Sequence, residues 1–193
     1  MLFCKYMQHR IQIFLLAIAT FLAGCATISP EKKLPSVPVE DKPHTFWSDT
    51  AVEGRPGLAI SISRQRAYFF KGDTLVGESP ISSGRKGFET PPGTYKVIQK
   101  DKDHVSNLYG EYVDEEGNVT QANVDVTKDP APEGSTFRGA KMSYFLRFTG
   151  GYGLHAGILP GHRASHGCVR LPRAMAQHFF EGAEIGMPVV VQD

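Results

Sequence analysis

Leu58-Ala-Ile-Ser-Ile-Ser63, Arg66-Ala-Tyr-Phe-Phe-Lys71 and Thr74-Leu-Val-Gly-Glu-Ser79 follow one another with only short breaks. The first alternates apolar and small polar residues, the period of a strand with one buried face. The second is aromatic and β-prone, and Lys71-Gly72-Asp73 between it and the third predicts a hairpin. Thr94-Tyr-Lys-Val-Ile-Gln99 continues the series after the turn-rich stretch from Gly84 to Gly93. Asn123–Thr127 is a weaker strand candidate, and Ser143–Thr149, Gly153–Ile158 and Met187–Val191 complete the set. One helix interrupts them: Pro172-Arg-Ala-Met-Ala-Gln-His-Phe-Phe-Glu181 opens on proline at its first turn and ends near Gly182. Met175, Ala176 and Phe179 fall on one side of it and are expected in the core. Many short strands, Gly/Pro turns and one late helix predict a mainly β domain, a sandwich or barrel-like arrangement with one or two short helices.

The chain has 193 residues, 41% hydrophobic and 21% charged, with a formal net charge of +1. That length suits one globular domain with tails, and the sequence shows neither repeats nor a second domain. A charge this close to zero argues against a nucleic-acid binder, which needs a strong basic field.

The first 24 residues read as an address. Lys5 and Arg10 precede the apolar run Ile11-Gln-Ile-Phe-Leu-Leu-Ala-Ile-Ala-Thr-Phe-Leu-Ala23, the layout of a secretory signal. The run is shorter than the roughly 18–20 residues that span a bilayer. It ends in Leu22-Ala23-Gly24-Cys25, which resembles a bacterial lipobox. That resemblance implies lipidation of Cys25 and anchoring to a membrane. Ala26 follows, where an Asp would mark retention, and this implies the periplasmic face of an outer membrane. Residues 25–54 then carry Pro30, Pro35, Pro38 and Pro43, which disfavour helix and central strand. They read as a semi-extended tether whose far end, Phe46 and Trp47, docks onto the domain at 55–193.

The sequence has three cysteines. Cys4 leaves with the signal and Cys25 carries lipid, so Cys168 remains alone in the folded part. Export favours disulfides, yet this domain cannot form one internally. Such a thiol is either buried and inert or kept for chemistry.

Its neighbours favour chemistry. His155-Ala-Gly-Ile-Leu-Pro-Gly-His-Arg-Ala-Ser-His-Gly-Cys-Val-Arg170 gathers three histidines, a serine, the cysteine and two arginines, Arg163 and Arg170. A thiol must become thiolate to attack a carbonyl, and an imidazole can take its proton. An arginine can hold a substrate carboxylate. Gly167 leaves the backbone unobstructed, so adjacent N–H groups are available to a developing oxyanion.

Ser165-His166-Gly167-Cys168-Val169-Arg170, with His155-Ala156-Gly157 upstream, resembles the signature of the L,D-transpeptidase (YkuD-type) catalytic domain. Pro80-Ile-Ser-Ser-Gly-Arg-Lys-Gly-Phe-Glu-Thr-Pro-Pro-Gly-Thr-Tyr95 is similar to a second family segment. The resemblance covers roughly Leu58 to Val191. It implies Cys168 as nucleophile and His155 as general base, with the backbone oxygen of Ala156 orienting the histidine. It implies the N–H groups of Gly167 and Cys168 at an oxyanion hole, supporting hydrogen bonds from His166 and Ser165, and Arg170 on the substrate. Ser82, Ser83 and Thr90 are read as turn residues. The implied substrate is the tetrapeptide stem of peptidoglycan: a thioester forms on Cys168, D-alanine leaves, and an amine acceptor or water resolves it. The first outcome is transpeptidation and the second L,D-carboxypeptidation. No cofactor and no metal is implied.

Two departures stand out. Only nine residues separate His155 from Ser165, which makes that loop compact. Between Asp101 and Arg138 little aligns with the family; this polar stretch holds Tyr109, Tyr112 and Phe137 and is read as a substrate lid or a long surface excursion. Three other readings fit the residues less well. A zinc hydrolase would use His155, His162, His166 and Cys168, but their spacings match no common site. A sortase also uses His, Cys and Arg, but not in one Ser-His-Gly-Cys block. An envelope lipoprotein that only binds peptidoglycan would not need every reactive residue in place.

Overall fold

Alternation along three strands builds the first sheet. The computed structural model describes residues 34–35, 45–48 and 52–193; the signal and Cys25 lie outside the described residues. β1 (Phe46–Trp47) pairs with β4 (Thr74–Pro80), which pairs with β3 (Arg66–Lys71), which pairs with β2 (Pro56–Ser61), all antiparallel. Successive side chains of a strand point to opposite faces. Ala67 and Phe69 of β3 therefore enter the main core, while Tyr68 and Phe70 pack with Ala59 on the other face. The predicted turn is tight: Gly72 sits at φ +59°, the left-handed region that glycine enters without strain.

The predicted strand 94–99 divides between two sheets. β5 (Gly93–Lys96) is the far edge of the first sheet and β6 (Gln99–Asp101) the far edge of the second. The switch falls at Val97, whose N–H donates to Met187 O, and Ile98, whose N–H donates to Arg147 O. The second sheet runs β12 (Val169–Leu171), β11 (Tyr152–Ala156), β10 (Phe145–Thr149), β6. β13 (Pro188–Gln192) returns to the first sheet between β2 and β5, parallel to β2.

The helix α1 (Arg173–Gly182) lies one residue beyond its predicted start. Pro172 is the residue before the first turn, and its carbonyl accepts the Ala176 N–H at 2.9 Å. Met175, Ala176 and Phe179 are buried as predicted. They share one core with Leu58, Phe69, Leu146, Leu154, Val169 and Val189, so the two sheets and the helix close on each other. This is the expected mainly β sandwich, with one helix among the described residues.

The stretch 101–138 is not irregular. β7 (Val105–Val113), β8 (Val119–Asp125) and β9 (Thr136–Lys141) form a third, three-stranded sheet. Only part of β8 had been expected, because β7 and β9 lack an apolar face.

Of the two aromatics expected to dock, Trp47 does so, while the Phe46 ring stays exposed and is held only by strand pairing with Glu78. Trp47 lies 5.2 Å from the Phe69 ring, stacks on His178 at 5.2 Å, and tilts against Phe179 at 5.8 Å. Two glycines make room for it. A Cβ on Gly77 would meet Trp47 Cε3 at 2.5 Å, and one on Gly182 would meet Trp47 Cη2 at 3.2 Å. We expect Trp47→Ala to destabilise the fold by about 2–3 kcal/mol, the cost of deleting a large, partly buried ring. A lowered urea midpoint with an unchanged slope is the measurement that checks it.

Candidate active site

The parallel pairing of β11 with β12 sets Leu154 against Val169 and His155 against Arg170. Leu154, Val169 and Leu171 point into the core, so His155 and Arg170 take the opposite face. Cys168 stands immediately before β12, on the same side as Arg170.

The turn that delivers Cys168 is tied at several points. Ser165 Oγ accepts the Gly167 N–H at 3.0 Å and donates to the Cys168 carbonyl in a short hydrogen bond. Thr90 Oγ1 donates to the Gly167 carbonyl at 2.7 Å and accepts the Gly84 N–H at 3.0 Å. Thr90 is therefore more than a turn residue: it joins the 84–93 loop to the reactive turn. Gly167 has φ +112°, and a Cβ there would lie 2.5 Å from Tyr152 Cε1, so no other residue fits. Ser82 Oγ donates to His162 O at 2.7 Å, and Ser83 Oγ accepts from Gln65 Nε2 at 2.7 Å.

The sulfur lies over the start of β11. Cys168 Sγ donates to Gly151 O at 3.4 Å, and the Gly153 N–H points at it. Burial pushes the thiol above its ordinary range, while the Gly153 N–H, Arg147 and Arg170 draw it back. His155 is buried, which holds its pKa down to about 4 from 6.5. Its hydrogen bond with Ala156 O pulls the value up, and the charges of Arg170 and His104 push it lower. His155 Nδ1 lies 2.9 Å from Ala156 O, which can only accept. The neutral ring therefore carries its proton on Nδ1 and keeps an unprotonated Nε2. The resting pair is a neutral thiol and a neutral imidazole.

Cys168, His155, His166 and Arg170 line one cavity of about 660 Å³. Tyr152, Arg147 and Ile158 complete that side, and Asn107, Tyr109, Asn123 and Lys141 come from the third sheet. Among the described residues, the lining holds no carboxylate, and no hydrogen bond or ion pair takes up the Arg170 guanidinium. The Arg170 stem lies against Gly157, where a Cβ would meet its Cγ at 2.9 Å. A thiol, an imidazole acceptor and free cations in one cavity suit attack on a carbonyl of an anionic peptide.

The family model that matches residues 55–191 is the YkuD model, the L,D-transpeptidase catalytic domain. The chain belongs to that family. A probable L,D-transpeptidase 3 of Mycobacterium tuberculosis is 28% identical over 157 residues, 78% of this chain and 50% of that protein. A probable L,D-transpeptidase ErfK/SrfK of Salmonella typhimurium is 26% identical over 145 residues, 72% of this chain and 45% of its own length. The chain thus spans about half the length of these curated relatives. In fold it is similar to the solved L,D-transpeptidase 3 of Mycobacterium tuberculosis in complex with a faropenem-derived adduct. That TM-score is 0.55 at 23% identity, over 72% of this chain and 60% of the other.

Within this L,D-transpeptidase domain, the structure brings His155, Ala156, Ser165, His166, Cys168 and Arg170 to one cavity. Gly167 differs from expectation: its N–H, read as an oxyanion donor, is taken by Ser165 Oγ. His162 is exposed and contributes its backbone oxygen to Ser82. Tyr152 and Arg85 are residues that the sequence did not single out, Tyr109 belongs to the 101–138 stretch read as a lid or a surface excursion, and Thr90 does more than a turn residue. Only the likeness of 80–95 to a family segment hinted at Arg85 and Thr90; nothing pointed to Tyr152.

Two outcomes follow. His155 protonates near 6.5 in the unfolded chain and near 4 in the folded one. The folded state binds fewer protons between those values, so stability falls as pH drops from 6.5 to 4, by about 3 kcal/mol. Urea titrations across that range should show a shallower decline in His155→Gln. Thr90→Val keeps the shape but loses both hydrogen bonds; it should destabilise the fold by about 2 kcal/mol, with Thr90→Ser restoring most of the loss, read as the urea midpoint.

Proposed function

We propose that this protein is a cysteine-dependent peptidoglycan L,D-transpeptidase. The observation that carries the reading is the hydrogen bond of His155 with Ala156 O, which leaves Nε2 unprotonated in the cavity that holds Cys168. His155 takes the thiol proton as the sulfur attacks the carbonyl next to the terminal D-alanine of a tetrapeptide stem. The tetrahedral oxyanion collapses, the amide C–N bond breaks, and His155 returns the proton to the departing D-alanine nitrogen. A thioester on Cys168 remains. An amine of a second stem or a protein then displaces the thiolate; with water in its place the product is the tripeptide. The Cys168 N–H is the donor at the oxyanion, with Ser165 and His166 supporting the turn. Arg170 holds a stem carboxylate.

The same reading places residues 1–24 as a signal, Cys25 as a lipidated anchor, 25–54 as a tether and 55–193 as the catalytic domain. The enzyme then works in the cell envelope, on the periplasmic face of the outer membrane.

Intact mass spectrometry with a disaccharide-tetrapeptide, alone and with an acceptor stem, tests the reading. A transient adduct on Cys168 and a 3→3 dimer are expected, both absent in Cys168→Ala. Faropenem is a second probe, because the thiolate can open its lactam ring and keep the acyl group. An adduct that yields only tripeptide would make the enzyme a carboxypeptidase. No adduct with either reagent, in a folded protein, would overturn the assignment. Cys25→Ala should release the protein from the membrane fraction.

A further inference from the structure

The proposed reaction leaves the ring N–H of His166 without a role, although the ring sits in a built environment. Arg85 Nη2 lies 2.7 Å from His166 Nε2. A guanidinium has only donors, so Nε2 must be the acceptor. The ring proton therefore resides on Nδ1, and among the described residues nothing takes up that N–H. The ring is also fixed in plane. Tyr109 of β7 stacks on it at 4.3 Å and 22° between planes, and Phe88 meets it edge-on at 4.9 Å. Phe88 is itself covered by Arg85 at 4.3 Å and by Lys128, from beyond β8, at 5.3 Å. The Arg85 backbone N–H donates to Ser165 O at 3.0 Å, which fastens the arginine to the same turn.

Three elements thus converge on one imidazole: the 84–93 loop, the third sheet and the reactive turn. Free histidine favours the Nε2–H tautomer, and this site imposes the other. The charged and titratable groups around the ring are Arg85, Arg170, Lys128, Asp125 and Tyr109. Partial burial and the two arginines keep His166 below its ordinary pKa, in agreement with a neutral ring.

We infer that Arg85 and Tyr109 are positioning residues: Arg85 fixes His166 as the Nδ1–H tautomer and Tyr109 holds its plane, so that His166 offers one N–H to an oxygen of the bound stem. The third sheet is then part of the reacting assembly. The inference rests on the proposed acyl transfer for its kinetic arm, but not for its spectroscopic one.

The test uses the full chain in detergent with ¹⁵N-labelled histidine. The two ring nitrogens of His166, assigned by loss of signal in His166→Gln, report the tautomer directly. The wild type should show Nδ1–H at neutral pH. Arg85→Met should abolish that preference and Arg85→Lys should keep it. D-alanine release should fall at least about tenfold in Arg85→Met and Tyr109→Ala, with Arg85→Lys and Tyr109→Phe recovering most of the loss. An Nε2–H ring in the wild type, or an Nδ1–H ring unmoved in Arg85→Met, would overturn the tautomer lock. Wild-type rates in Tyr109→Ala would remove Tyr109 from the assembly. If the wild type released no D-alanine, the proposed function would fall, and the spectra would still decide the Arg85 contact.

Discussion

The parallel ladder between β11 and β12 is the constraint on which the site depends. A two-stranded parallel contact carries no hairpin of its own, so another structure must hold its register. Here the core does so through Leu154, Val169 and Leu171, all fully buried or nearly so. One residue of slip would turn those side chains outward and drive His155 and Arg170 into the core. The apolar residues thereby choose the face on which the thiol and imidazole share one cavity. The polar ties of Ser165 and Thr90 act only on the last step, the path of the turn that ends at Cys168.

The resting chemistry follows from the same burial. A carboxylate beside His155 would raise its pKa and favour an ion pair with the thiol. A backbone carbonyl orients the ring without adding charge. The thiol and the imidazole rest uncharged beside the cations of the cavity, and in the proposed reaction charge separates between them only as the sulfur attacks.

Much of this was legible in the sequence. β2, β3 and β4 were readable because one face of each strand is apolar, and α1 because Met175, Ala176 and Phe179 fall on one side. The His155–Arg170 stretch was readable because its reactive residues lie close together in the chain. What escaped had physical reasons. β12 has three residues, too few for a period to show. The 94–99 run looked like one strand because its break at Val97–Ile98 needs no glycine or proline, only a change of hydrogen-bond partner from Met187 to Arg147. Tyr152 reaches the site from a segment with no local signal of chemistry, and Tyr109 from a stretch whose sheet has no clear strand period. The Gly167 N–H could not be assigned without seeing Ser165 Oγ beside it.

The short strand at Phe46–Trp47 also has a bearing on solubility. β4 is otherwise the open edge of the six-stranded sheet, a row of unpaired backbone groups that another chain can add to. β1 pairs with it at Gly77 and Glu78, in the middle of its length, and the indole of Trp47 covers Gly77. The end of the segment read as a tether thus blocks edge-to-edge association between copies of the chain. A version cut at Glu53 keeps every residue of the cavity and loses that guard.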